Sequence, residues 1–177
     1  SSLWELFEPV KGSRDPEAYA IHLRDDDLRN KFYERFSRFA RTLALALSSS
    51  NFLEETPAKT IDRYKKDLKT FQNLRADVCQ RFQETIDFRE YEPKIQKLMD
   101  MHVGADEVQQ LCKPINLLNA GERQKALEEN GKSRDAKADM IASATRHVID
   151  QEMAKDPAFY RKFSKLLEEV IEAYHQG

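Results

Sequence analysis

Glycine is scarce in this sequence, with five in 177 residues, beside six prolines and two cysteines. So few turn formers exclude an architecture of many short strands, because each tight chain reversal draws on residues of that kind. Cys79 and Cys112 form no CxxC pair and offer no disulfide framework, so both read as small buried hydrophobes. No apolar run approaches the roughly 20 residues that a bilayer-spanning helix requires. The opening stretch, SSLWELF, lacks the basic and apolar segments of a secretory leader. A cytoplasmic protein with no membrane contact is expected.

Charge and helix-period hydrophobicity are what the chain has in quantity. Charged residues make up 34% and hydrophobic ones 40%, which is the composition of a helix-rich, charge-laced protein. The net charge of −2 conceals a basic stretch: residues 29–81 hold twelve Lys or Arg against six acids. Such a surplus suits a nucleic-acid or acidic-partner surface, and it also suits the solvated faces of ordinary helices.

Helix starts are legible at Asp15-Pro16, Thr56-Pro57 and Asp156-Pro157, each a capping side chain before a proline fit for the first helical position. Asp25, Asp26 and Asp27 stack negative charge where another helix begins. From there Leu28, Phe32, Phe36, Phe39, Leu43 and Leu47 recur at spacings of three and four, predicting a core helix that stops at Ser48-Ser49-Ser50. Ile61, Tyr64, Leu68, Phe71, Leu74, Val78, Phe82 and Ile86 predict a second, of about thirty residues. The short polar link between them predicts an antiparallel pair. A shorter helix is expected after Pro93, through Ile95, Leu98, Met99 and Met101. Residues 115–132 read as a poorly structured polar connection with at most one exposed helix. Ser133 caps a helix through Met140, Ile141, Ala144 and Val148, and the last helix, from Pro157, shows one strongly apolar face. The expected fold is all-α: a single helical domain over 1–177, built on two long antiparallel amphipathic helices with shorter helices and an amphipathic one at the end.

Motifs for chemistry do not hold together. Gly131-Lys132-Ser133 has the ending of a phosphate-binding loop, but Ala126 stands where that loop needs glycine and no strand precedes it. Glu92-Pro93-Lys94, with Asp87 upstream, has the spacing of a nuclease centre, yet the proline marks a helix start where the chemistry needs adjacent strands. His22, His102, His147 and His175 share no metal-ligand spacing, and no GxSxG nucleophile turn occurs. Catalysis within this chain is not expected, and neither is a cofactor.

Five blocks carry a resemblance: DDDLRNKFYERFSRFARTLALALSS, RYKKDLKTFQNLRADVCQRF, DFREYEPKIQKLMD, AKADMIASATRHVI and DPAFYRKFSKLLEEVIEAYHQG. In order and spacing they resemble the C-terminal region of the R (motor and endonuclease) subunit of type I restriction-modification enzymes. The resemblance implies an assembly domain belonging to a larger ATP- and Mg²⁺-dependent site-specific deoxyribonuclease. It would help dock the DNA-translocating motor onto the methyltransferase and specificity subunits, with residues 1–24 connecting to the preceding motor domain. No catalytic residue of that family has a counterpart in these blocks.

Two sets of surface residues follow as candidates. Lys137, Asp139 and Arg146, with Tyr160, Arg161 and Lys162, are candidates for a protein interface. Lys31, Arg35 and Arg38, on one helix face, with Arg63 and Lys66, are candidates for duplex-DNA phosphates. A third possibility is an internal brace that packs on the motor domains of its own polypeptide.

Overall fold

The computed structural model describes residues 3–10, 12, 15–84, 101, 119–128 and 133–176. Among them the fold is all-α, with no strand. Among the described residues a 3₁₀ helix, Trp4–Val10, precedes seven α-helices: α1 (Pro16–His22), α2 (Asp26–Leu47), α3 (Ser50–Glu55), α4 (Ala58–Arg81), α5 (Ala120–Glu128), α6 (Arg134–Glu152) and α7 (Pro157–Gln176). Where the sequence reads as one domain, the chain divides into two compact units: Ser1–Val78 with Ile86–Leu111, and Cys79–Thr85 with Cys112–Gly177. The apolar periodicity of α4 runs unbroken past this division, so nothing in the pattern marks it.

The first unit is built around aromatic rings. Phe7 meets Trp4, Tyr19 and Phe32 edge-on and stacks on Phe71 at 5.8 Å between centroids. Phe32 in turn stacks on Phe36. Burial of each such side chain contributes about 1.5–3 kcal/mol before entropy is subtracted. Leu3, Phe7 and Leu23 are essentially inaccessible, so the N-terminal segment contributes to this core. Its amphipathic turns supply rings that α2 and α4 need for cover.

The start of α2 is over-determined. Asp25 Oδ1 accepts from the Leu28 amide at 2.8 Å, and Asp26 and Asp27 occupy the first turn. Buried Arg29 turns back to donate to the carbonyls of Leu23 and Arg24, each at 3.0 Å, and to Asp26 at 2.7 Å. One side chain thereby satisfies carbonyls past the end of α1 and fastens the first turn of α2. Along α2, Phe32, Phe36, Leu43 and Leu47 are buried as the spacing predicts, while Phe39 is only half-buried and Ala40 and Ala44 take core positions beside them. The link to α4 is itself partly helical, since Ser49 caps α3. α2 and α4 meet through Phe32 on Phe71 and through the Arg75 guanidinium 5.4 Å above the Phe36 ring.

α4 is shorter than the periodicity predicts. It ends at Arg81, where Gln83 adopts φ +54°. The Glu84 amide donates to the Cys79 carbonyl at 3.0 Å and the Gln83 amide to that of Gln80. This is the Schellman pattern, normally closed by glycine at the left-handed position. Ile86, the helix expected after Pro93 up to Leu98 and Met99, Asp87, Glu92, Lys94, His102, Cys112, Gly131 and Lys132 lie outside the described residues. The expected exposed helix in the polar connection is α5, which Asn119 caps through the Gly121 amide.

In the second unit α6 and α7 form an antiparallel hairpin. Four residues, 153–156, join them, and the far end of α7 returns to the first turns of α6 through His175, Asp135 and Asp139. Ser133 Oγ caps α6 by accepting from the Ala136 amide at 2.9 Å, and Asp156 caps α7 through the Phe159 amide at 3.1 Å. The buried stripe of α6 is Ala136, Asp139, Met140, Ser143 and Ile149, with Ala142 and Ala144. Of the apolar residues along it, Met140 and Ala144 are buried and Ile141 is 42% exposed. No described helix is long and apolar enough to cross a membrane.

Candidate interaction surface

Two features of the second unit stand out: a buried ionic cluster and an uncovered apolar face. The cluster centres on Asp139 of α6. Its Oδ2 accepts from Arg81 Nε at 2.6 Å, and its Oδ1 lies 3.4 Å from His175 Nε2. Both Arg81 and Asp139 are almost fully buried. An isolated charge at such a depth is strongly disfavoured, so the two are stable there only as a pair. His175 Nδ1 also lies 3.8 Å from Asp135. The last residue of α4, the first turns of α6 and the last turn of α7 therefore share one carboxylate. His147 Nε2 contacts the Gln83 carbonyl at 3.1 Å and ties α6 to the left-handed turn after α4.

The apolar face belongs to α7. Tyr160, Ser164, Leu167 and Ile171 are half-buried along one side of this helix. The adjoining side consists of Phe159, Phe163, Leu166, Val170 and Tyr174, and all are exposed, Phe159 at 57% and Val170 at 58%. Phe159 and Phe163 stack on each other at 6.1 Å between centroids, one turn apart. Single exposed hydrophobes are ordinary on a protein surface; a stripe of five over four turns is the arrangement of a contact face.

The candidate residues fall out as follows. Asp139 is not available to an outside partner, because its carboxylate is buried and engaged by Arg81 and His175. Its neighbours in sequence, Lys137 and Arg146, are half-buried and exposed respectively. Tyr160 is half-buried on the α6 side of α7, whereas Arg161 and Lys162 are exposed. On α2, Lys31 and Arg38 are exposed and Arg35 is half-buried; Arg38 pairs with Glu34 at 3.1 Å. On α4, Arg63 is exposed with its guanidinium 5.5 Å above the Tyr64 ring, and Lys66 is exposed. The exposed Arg38–Glu34 pair is of a kind worth well under about 1 kcal/mol, so it would yield to a phosphate.

Arg81 and His175 were not evident as functional or structural partners from the sequence, since they are far apart along the chain and neither sits in a motif. The one available hint was Asp139 itself, an acid set among Ala136, Met140 and Ser143 on a helix face otherwise suited to burial. Ser133, the last residue of the GKS triplet, is a helix cap. Among the described residues no group of three His, Cys, Asp or Glu side chains is arranged to hold a metal ion. The chain matches no protein-family model, no curated protein and no solved structure.

Proposed function

We propose that this chain is a non-catalytic helical assembly domain, of the kind that the resemblance to the type I restriction R subunit implies. In that role it helps to hold an ATP-dependent, DNA-translocating endonuclease on its methyltransferase and specificity subunits. ATP and Mg²⁺ would be bound by other parts of the larger polypeptide. The observation that supports an assembly role is the α7 face: Phe159, Phe163, Leu166, Val170 and Tyr174 form a continuous apolar stripe in water. Removing it from water is favourable by roughly 25 cal/mol per Å² of apolar area, and burial against protein achieves this. A surface that only neutralises phosphates has no use for such a stripe.

The test is to titrate the methyltransferase–specificity core with the purified chain and follow association by calorimetry. Binding in the micromolar range or tighter is expected. Absence of any association at concentrations on the order of 10 µM removes the docking role. The internal-brace reading calls for the same apolar stripe and differs in what covers it. Binding of the chain to separately produced motor domains, in place of the methyltransferase core, would favour the brace.

A further inference from the structure

We draw no further inference here: the strongest candidate, the exposed apolar stripe of α7 from Phe159 to Tyr174, is an unpartnered helix face, and nothing in the structure shows what covers it.

Discussion

α2 and α7 are written in nearly the same way and end in opposite environments. Both are about six turns long, both begin at an aspartate cap, and both repeat large hydrophobes at spacings of three and four. In α2, Phe32 and Phe36 are 0% and 1% exposed. In α7 the corresponding stripe faces solvent. Helical periodicity reports that a face requires cover; it does not report whether the cover comes from the same chain. What separates the two is the surrounding sequence. Buried positions of α2 alternate rings with Ala40 and Ala44, which let neighbouring elements approach, whereas the exposed stripe of α7, Phe159, Phe163, Leu166, Val170 and Tyr174, holds no small residue.

The comparison can be broken most directly at its aromatic residues. Phe36→Ala should cost about 3–5 kcal/mol, by cavity formation in the first unit and loss of the Arg75 contact. Urea denaturation would show it as a lower midpoint. At the other extreme, Phe163→Ala in the monomeric chain should change stability by less than about 0.5 kcal/mol. Equal costs at the two positions would mean that α7 is covered as α2 is.

Between these lies the ionic anchor of α7. Asp139→Ala leaves the Arg81 guanidinium buried without its carboxylate, for which losses of about 3–5 kcal/mol are typical. Arg81 has further interactions, so the lower end is expected. A cost under about 1 kcal/mol would place the pair in an environment much wetter than the one described. A smaller effect sharpens the comparison at the helix starts. Asp25→Ala should cost about 1 kcal/mol through loss of its bond to the Leu28 amide. Asp156→Ala removes the equivalent bond to Phe159, and its cost should be read as altered helicity of α7.

How much of this was legible depended on whether the decisive contacts were local. Caps were readable, because Asp25, Ser133 and Asp156 act on amides three residues away. The α2 face was readable because its period is sustained. The end of α4 was not, since its left-handed stop is filled by Gln83, a residue that carries no such mark, and the apolar pattern continues through it. The buried stripe of α6 is only partly legible, because Ala142 and Ser143 are small enough to be buried without standing out in a hydrophobic pattern. Asp139 reads as a surface contact in the sequence, since its cation lies 58 residues away and no local rule connects them. On α7 the apolar face is legible from its period, but which part of it stays uncovered depends on where α6 packs.

The carboxylate of Asp139 also has a bearing on fraying. Helix ends normally loosen one turn at a time, independently of distant parts of the chain. Here the closing turn is tethered: releasing His175 takes a neighbour from the same oxygen pair that grips the final residue of α4. Amide exchange near Tyr174 should therefore track exchange near Arg81, two stretches of backbone breathing in concert because they hold opposite sides of one acid.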